Sequence, residues 1–569
     1  MKKALITLLL LALISCTKKE ILNPADVIYF GGDILTMEGE TATYAEAVAI
    51  KDGKILFVGT KDEAEKFHGD KTEMKDLEGK TMMPGFVEPH VHPSIAATML
   101  PNEIISMNDW VLPNEIKKGV IGHDEYIKRV TESINAKAKP EEAYLVWGYH
   151  QLWHGEISRD MLNKIAPNQP VGILHRSFHE IYVNDAFIKK FNIKEEDYKG
   201  NPQVEWKKGH FYEGGWLALV PKLGAVLFNP DRTNKGMEMM SQLIHKNGIT
   251  TICEPGFGTS DFNMEFAMLK KEMDKGQPYE AYLIPNGTQL YTSQGSNEKA
   301  LEFTKTMGKF NTDNIHFLPN QIKLFADGAI YSQAMQMEGN YNDGHKGEWM
   351  TPLNLLKTQM SLYWKAGYKI HVHANGDLGI QEVLNFNALD QKANPRKDHR
   401  LTLHHMGYFS EKQANQIANL EIEASVNPYY LWALADKYSE VGLGKERGEA
   451  LVRIKSLLDN KIPVSFHSDF SMAPMEPLTL AWTAVNRVTS ENSKFSQDQR
   501  IDAYSAMKAI TITAARTIEL EKTIGSIKKG KIANFTILAE NPLKVKPMAI
   551  KDVKVLETVF KGKSFPIKQ

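Results

Sequence analysis

The chain has 569 residues, of which 42% are hydrophobic and 24% are charged, proportions that are typical of globular proteins. This length accommodates roughly one to four domains. The formal net charge is −1 and the sequence has no basic tract, so nothing suggests a nucleic-acid or polyanion partner and we expect none.

The N-terminal segment has the pattern of an export signal. Lys2-Lys3 precedes the apolar run 4–14, which is shorter than the ~20 residues needed to cross a bilayer. The run ends in Leu13-Ile14-Ser15-Cys16, which resembles a bacterial lipobox and implies cleavage before Cys16 and lipidation of that cysteine. Because Thr17 follows rather than an aspartate, we expect an exported lipoprotein in the outer membrane, facing the periplasm or the cell surface. An ordinary signal peptide is the alternative.

Both ends of the remaining chain carry β-strand patterns. Apolar residues 47–50 and 55–58 flank Asp52-Gly53, which indicates a hairpin. Near the C-terminus, residues 533–538 are mostly apolar and residues 553–560 alternate like a half-buried strand. Because neither end is long enough for a sheet core of its own, we predict that they pair into one small β-sandwich domain.

The middle of the chain alternates apolar strands with helical patterns, which predicts βαβ units and a parallel sheet. Helical patterns include 355–366, 379–390 and 412–419. Eight strands fit an α/β fold of the (β/α)8 TIM-like barrel class, with a doubly wound open sheet as the alternative. The eight predicted strands are 86–91, 249–253, 279–284, 321–326, 368–372, 401–404, 422–426 and 463–467.

This count requires a large insertion after the first strand, residues 94–234, which has strand patterns of its own at 144–147 and 171–174. We predict that the insertion covers the mouth of the barrel. The predicted organisation is a signal peptide with lipobox (1–16), a tether (17–25), a composite β domain (26–83 and 520–569) and a barrel (84–519) that contains the insertion (94–234).

Metal-binding residue types follow several of the predicted strands. The C-terminal ends of the strands form the active site of a (β/α)8 barrel, and imidazole and carboxylate ligands suit zinc and neighbouring divalent ions. The sequence therefore predicts a metal site at these ends. The candidates are His90 and His92 at the end of the first strand, Lys323 in the fourth, His371 and His373 at the end of the fifth, His404 and His405 at the end of the sixth, and Asp469 after the eighth.

Two of these strands leave a choice of ligand open. His371 and His373 lie two residues apart and share a face, so either could bind a metal. His404 and His405 are adjacent and point to opposite sides, so only one of them can face the site. We expect His467 to support the site rather than to bind the metal.

Four other residues are weaker candidates for a place in the functional site. Trp147, Tyr149 and Trp153 in the insertion could line a pocket or form the core of that subdomain. Glu254, at the end of the second predicted strand, could bind substrate, although no motif supports that role.

The candidate motifs resemble those of the amidohydrolase superfamily, in the amidohydrolase-3 branch that includes N-substituted formamide deformylases. The resemblance covers nearly all of the chain after the lipobox. It depends on Pro84-Gly85-Phe86-Val87-Glu88-Pro89-His90-Val91-His92, Gly248-Ile249-Thr250-Thr251, Lys323-Leu324-Phe325-Ala326-Asp327-Gly328, His373-Ala374-Asn375-Gly376-Asp377, Leu403-His404-His405, His467-Ser468-Asp469 and the closing motif at 525–535.

The resemblance implies a site with two divalent metals, by default zinc. The implied ligands are His90, His92 and Asp469 for the first metal, His373 and His405 for the second, and carboxylated Lys323 as the bridge between them. Asp469 is also the implied catalytic residue, because it handles the proton. Residues 171–179 resemble a branch segment whose final histidine, here His179, reaches the substrate; a histidine with a structural role is the alternative.

A bridging Lys323 is also consistent with elementary electrostatics. Burial of a lysine in an apolar strand disfavours the cation and lowers its pKa. The neutral amine can then add CO₂ and become an anionic carbamate that two cations would hold. The alternatives are an ion-paired or solvent-reaching lysine and, if Lys323 is unmodified, a one-metal site.

The predicted function is metal-dependent hydrolysis of a non-peptide C–N bond in a small amide or formamide. A deaminase of cyclic amines is one alternative, which Lys323 disfavours because sister branches with that activity usually lack a bridging lysine. A non-catalytic, lipid-anchored binding protein is the other. The sequence carries no signal of oligomeric state.

Overall fold

The computed structural model describes residues 24–568. The predicted signal peptide, the lipobox with Cys16 and most of the predicted tether lie outside the described residues. Within residues 24–568, no helix combines the length and the apolar character that a bilayer-spanning segment requires.

Strands from both ends of the chain share an eight-stranded sheet. Its order is Lys563–Pro566, Val555–Phe560, Phe535–Leu538, Thr81–Pro84, Val27–Leu35, Tyr44–Lys51 and Lys54–Gly59, with Glu73–Asp76 also beside Val27–Leu35. The two ends meet where Thr81–Pro84 pairs antiparallel with Phe535–Leu538. The hairpin turn at Asp52 and Gly53 has φ of 49° and 73°, the left-handed backbone that Asp-Gly accepts readily. The sandwich form of this unit stays a prediction.

Parallel strands in two sheets build the central unit. The first sheet has the order Ile315–Phe317, Glu280–Pro285, Ile249–Phe257 and Phe86–Glu88. The second has the order Gln321–Phe325, Lys369–Ala374, Thr402–His405, Glu423–Val426 and Val464–Phe466. All eight predicted strands are present, with ends that differ by a few residues, and nearly all of their side chains are buried, as in a parallel sheet with both faces covered.

One parallel strand was not predicted. Ile315–Phe317 pairs with Glu280–Pro285 and precedes the predicted fourth strand. Pro319, which has no amide hydrogen, and Asn320, whose φ is +53°, separate this strand from Gln321–Phe325, which pairs with Lys369–Ala374 instead. The predicted fourth strand, Gln321–Phe325, is thus preceded by a separate short strand that its apolar pattern does not indicate.

Two isolated parallel bridges connect the two sheets of the central unit. Asn286 pairs with Lys323, and Val91 pairs with Phe470. The C-terminal ends of parallel strands meet at one edge, so the bridges bring candidate residues from both sheets towards the same edge.

Helices alternate with these strands, as βαβ units require. The three predicted helices are present as Leu353–Lys365, Asp377–Ala393 and Glu411–Asn419. The last begins with a capping box, in which Ser410 and Gln413 exchange side-chain to backbone hydrogen bonds, a local signal that fixes a helix start. Other helices of the central unit are Pro230–Lys246, Phe262–Met273, Gly287–Gln294, Asn297–Thr304, Tyr429–Lys437 and Pro477–Asn486.

The predicted insertion contains a sheet of its own. The order is Val204–Glu205, His210–Tyr212, Glu180–Val183, Val171–His175, Tyr144–Tyr149 and Glu103–Ile104, and helix His123–Lys137 lies alongside. Trp147, Tyr149 and Trp153 are all buried, which favours the core role over an open pocket for these aromatic side chains.

Candidate metal centre

Three side chains from the first and last strands converge on one point. The Nε2 atoms of His90 and His92 lie 3.2 Å apart. One oxygen of Asp469 lies 3.5 Å from the first and 3.2 Å from the second. Two imidazole nitrogens and a carboxylate oxygen facing one another form a set that could hold a divalent cation.

Local backbone structure holds Asp469 in this position. Its φ is +53°, a left-handed conformation that aspartate adopts more readily than most residues. Its amide donates to the carbonyl oxygen of His90 at 3.1 Å, and the amide of His92 donates to the carbonyl oxygen of Phe470 at 3.2 Å. The two strand ends are therefore fastened backbone to backbone.

His405 and His373 lie beside this trio. Nδ1 of His405 is 3.6 Å from Asp469 Oδ2, and its ring centroid is 4.3 Å from that of His373. Within the described chain, Nε2 of His405 is buried without a hydrogen-bond partner. By contrast, His371 and His404 hydrogen-bond to each other at 2.9 Å.

Lys323 is fully buried, and its Nζ has no hydrogen-bond partner among the described residues. Burial lowers the pKa of Lys323 to about 7, with Asp469 opposing the shift. A Cβ added at Gly256 would lie 3.8 Å from Cγ of Lys323 and 3.9 Å from Cε1 of His92. Both are ordinary van der Waals distances, so the backbone φ of +113° rather than lack of space favours glycine at this position. The lowered pKa makes the neutral amine of Lys323, the form that can add CO₂, available near neutral pH.

Burial also keeps most of the imidazoles neutral. It lowers the pKa of His90, His373 and His405 well below the ordinary value, which favours the ligand form of imidazole. His92 differs: burial lowers its pKa, but Asp469 and Glu254 outweigh that effect and raise it to about 9.

One further histidine and one further carboxylate, His467 and Glu254, contact the candidate ligands. His467 Nε2 lies 3.2 Å from His405 Nδ1 and its Nδ1 lies 2.9 Å from Ser425. With His90 and His405 it also forms a buried trio of imidazoles that could hold a cation, so its supporting role stays a prediction. Glu254 lies 3.6 Å from Nδ1 of His92, so it contacts a candidate ligand rather than standing alone in a pocket.

The predicted substrate residue His179 belongs to the insertion and pairs with Glu213, whose Oε2 is 2.9 Å from Nδ1. Burial lowers the pKa of His179, but Glu213, with Glu180 and Asp469, outweighs it and raises the pKa above the ordinary value. The pair can therefore present a charged imidazolium.

Three residues near the site received no role from the sequence. Glu213 forms the pair just described, and the hydroxyl of Tyr430 lies 3.3 Å from Nδ1 of His405. Asp327 accepts three backbone hydrogen bonds, from the residues at 336, 375 and 376, at 2.8–2.9 Å. Asp327 belongs to the motif at 323–328 that carries the family resemblance, so the sequence did mark it. No motif surrounds Glu213 or Tyr430.

Parallel strands whose C-terminal ends bring together imidazoles, a buried amine and a carboxylate define a metal-dependent hydrolase. The chain belongs to the amidohydrolase family, whose model matches residues 73–565. It is accordingly a hydrolytic enzyme that acts on carbon–nitrogen bonds, and its predicted place in the amidohydrolase-3 branch is confirmed.

Relatives align over almost the whole chain. The Arabidopsis thaliana protein LONG AFTER FAR-RED 3 is 26% identical over 91% of this chain and 88% of its own length. The N-substituted formamide deformylase of Arthrobacter pascens is 24% identical over 94% of this chain and 97% of its own. An uncharacterised metal-dependent hydrolase of Pyrococcus horikoshii OT3 has the same fold, with a TM-score of 0.69 at 20% identity over 92% of this chain and 99% of that one.

Proposed function

We propose that the protein hydrolyses a non-peptide amide or formamide C–N bond of a small molecule with the help of two divalent metal ions. The observation that carries the proposal is the convergence of His90, His92 and Asp469 at 3.2–3.5 Å. The formamide deformylase of Arthrobacter pascens, which aligns with nearly the full chain, supports a formamide as the first substrate class to test.

We propose a closed (β/α)8 barrel as the scaffold. The bridges Asn286–Lys323 and Val91–Phe470 support closure, because each joins one sheet to the other. The insertion, residues 94–234, would cover the mouth and limit entry of bulk water. Exclusion of water strengthens every electrostatic interaction inside such a site.

The residues present fit a two-metal site. Two buried nitrogens, Nζ of Lys323 and Nε2 of His405, have no partner within residues 24–568, and unpaired buried polar atoms are costly. The proposed ligands are His90, His92 and Asp469 for the first ion, His373 and His405 for the second, and a carbamate on Lys323 for both. We propose zinc, and when bound the ions supply Lewis acidity towards the substrate carbonyl and towards water.

The side chains would divide the remaining work between them. Asp469 accepts a proton from the attacking water and delivers it to the leaving amine nitrogen, as a general base and then a general acid. The imidazolium of His179, kept charged by Glu213 at 2.9 Å, donates a hydrogen bond to the substrate carbonyl oxygen. That donor would stabilise negative charge as it develops on the oxygen.

Hydrolysis of a panel tests this function. Purified, zinc-loaded protein should release amine and acid from N-substituted formamides or small amides, and elemental analysis should find two metals per chain. Release of ammonia from cyclic amines instead would indicate deamination. Protein that binds no metal and hydrolyses nothing in the panel would favour the binding-protein alternative.

We also propose that the protein is exported and anchored through lipidated Cys16. The lipobox pattern Leu13-Ile14-Ser15-Cys16 supports this location. Wild-type protein should incorporate a labelled fatty acid and fractionate with the outer membrane, whereas Cys16→Ser should do neither. Unlabelled wild-type protein in the soluble fraction would contradict the proposal.

A further inference from the structure

A chain of hydrogen bonds runs from the start of the fourth strand to the candidate metal centre. Gln321 Oε1 lies 2.9 Å from His371 Nε2, and His371 Nδ1 lies 2.9 Å from His404 Nε2. His404 Nδ1 in turn lies 2.8 Å from His90 Nδ1. All four side chains are at least 98% buried, so water does not compete for these contacts.

The outer end of the chain fixes its direction. The amide nitrogen of Gln321 lies 3.1 Å from a carboxylate oxygen of Glu519 and 3.5 Å from the carbonyl oxygen of Ile518. Both are acceptors, so the NH₂ group must face them. The amide oxygen of Gln321 therefore faces His371 and accepts a hydrogen bond from it.

This direction propagates from ring to ring. His371 carries its proton on Nε2, so its Nδ1 accepts from His404. His404 then carries its proton on Nε2, and its Nδ1 accepts from His90. His90 is left with its proton on Nδ1 and a bare Nε2. That bare nitrogen faces Nε2 of His92 at 3.2 Å.

A reversed or additional proton would break the chain. A second proton on the ring of His371 or His404 would set two N–H groups against each other across 2.8–2.9 Å. The opposite tautomer of His371 would point a lone pair at the oxygen of Gln321. The contacts of Gln321, His371 and His404 therefore support a single proton arrangement, which opposes the pull of the Asp469 carboxylate oxygen 3.5 Å from Nε2 of His90.

We propose that Gln321, His371 and His404 are positioning residues, forming a relay that selects the His90 tautomer with a bare Nε2 and makes that nitrogen a better metal ligand. The inference rests on the proposed function, in which His90 binds the first metal. Each imidazole in the relay donates a hydrogen bond to the next group and is polarised by that bond. Loss of the hydrogen-bond partners behind a ligating histidine typically changes metal affinity by about 10–100-fold.

His90 and His92 differ in the group that contacts the Nδ1 atom of each ring. Nδ1 of His92 has a carboxylate neighbour, Glu254, at 3.6 Å. Nδ1 of His90 has the neutral imidazole of His404 at 2.8 Å. Gln321, acting through His371, determines which nitrogen of His404 carries the proton. Changing Gln321 should therefore alter the tautomer of His90 without replacing any metal ligand.

The test compares wild type with Gln321→Met by nitrogen-15 NMR of the metal-free protein, using ring-nitrogen shifts to read the tautomers. Wild type should show His90 protonated on Nδ1, with His371 and His404 protonated on Nε2. Gln321→Met should give mixed tautomers for these rings. Gln359→Met is the matched control, because Gln359 is another fully buried glutamine, bonded to Asn297 and Gly287.

A second measurement uses zinc affinity by chelator competition. Gln321→Met should lose about 10–100-fold at the tighter site, and Gln359→Met should lose nothing. Wild-type His90 protonated on Nε2, or a Gln321→Met variant with wild-type tautomers, would overturn the relay. If wild type binds no metal, the proposed function fails, while the tautomers of the metal-free protein still decide the relay.

Discussion

The backbone amide of Asp469 donates a hydrogen bond to the carbonyl oxygen of His90, with a nitrogen–oxygen distance of 3.1 Å. The two residues follow the last and the first parallel strands of the central unit. Their backbone contact fixes the carboxylate relative to the two imidazoles of the His-x-His motif. The distances in the candidate metal centre thus depend on strand register as well as on side-chain identity.

Replacement of Asp469 by asparagine should lower kcat by about 10²–10⁴-fold, because an amide cannot accept the proton of the attacking water. Asparagine tolerates the left-handed φ of +53° at this position, so thermal unfolding should change little. Steady-state kinetics on the best substrate of the panel provide the measurement.

Asp390→Asn is the matched control for that variant. Asp390 is also largely buried, and it accepts a hydrogen bond from Ser361 in a helix pair away from the site. Its replacement should leave kcat within about twofold, since it touches no reacting group. Equal kcat losses in the two variants would argue against a proton-transfer role for Asp469.

Metal-loaded protein equilibrated with carbon-13 bicarbonate should show a carbamate resonance by NMR. Burial lowers the pKa of Lys323 to about 7, so the amine that adds CO₂ becomes available as the pH rises through that value. Lys323→Met should lack the signal. Lys369→Met should keep it, since Lys369 is buried but already paired with Glu423 at 3.4 Å.

The lowered pKa of Lys323 also predicts how the stability of the metal-free protein depends on pH. In the unfolded chain the amine stays protonated up to its ordinary pKa of 10.5, whereas in the folded chain it loses its proton near 7. The unfolded state thus binds more protons in that window, so wild-type stability rises with pH there, by up to about 1.4 kcal/mol per unit from this group.

Lys323→Met should therefore exceed wild type in free energy of unfolding most clearly below pH about 7, with a margin that shrinks as the pH increases. Urea unfolding of metal-free proteins near pH 6 and near pH 9 measures this difference. Lys369→Met should instead lose stability, by about 1.5–3 kcal/mol, because it removes one of the two cations that contact buried Glu423, the other being Arg516 at 2.8 Å. A margin for Lys323→Met that is independent of pH would contradict the assigned pKa.

The strand ends of the central unit could be predicted from the sequence because their signals are local. Apolar runs mark the strands, and His90, His92 and Asp469 follow runs of that kind. The short strand before Pro319 and Asn320 was missed because it is defined by pairing with Glu280–Pro285. No local sequence pattern predicts that contact.

Contacts between side chains that are distant in the sequence were harder to predict than the strand ends. The sequence left His371 or His373, and His404 or His405, as alternatives, because two-residue spacing fixes a face but not a partner. The structure sets His373 beside His405 and joins His371 to His404. Glu213 was missed since its partner, His179, is brought to it only by the sheet of the insertion.

Glu213→Gln should shift the pH dependence of kcat/KM. The carboxylate of Glu213 raises the pKa of His179 against the opposing effect of burial, so its loss should let the imidazolium deprotonate at lower pH. The alkaline limb should then move to lower pH, with a loss on the order of tenfold above neutrality.

Glu205→Gln tests whether any glutamate–histidine pair of the insertion would have the same effect. Glu205 lies 3.3 Å from His210, in the same sheet as the segment that carries His179. We expect an unchanged profile for Glu205→Gln. An identical shift in both variants, or none in Glu213→Gln, would remove His179 from the proposed mechanism.

The sheet shared by the two chain ends has a consequence for synthesis. Thr81–Pro84 leaves the ribosome long before its antiparallel partner Phe535–Leu538 has been translated. Until then one edge of the early strands exposes unpaired backbone groups, which are prone to association with other chains. Nascent protein is thus most vulnerable to aggregation late in elongation, and translation that stops short of the last strands should yield material that depends on chaperones.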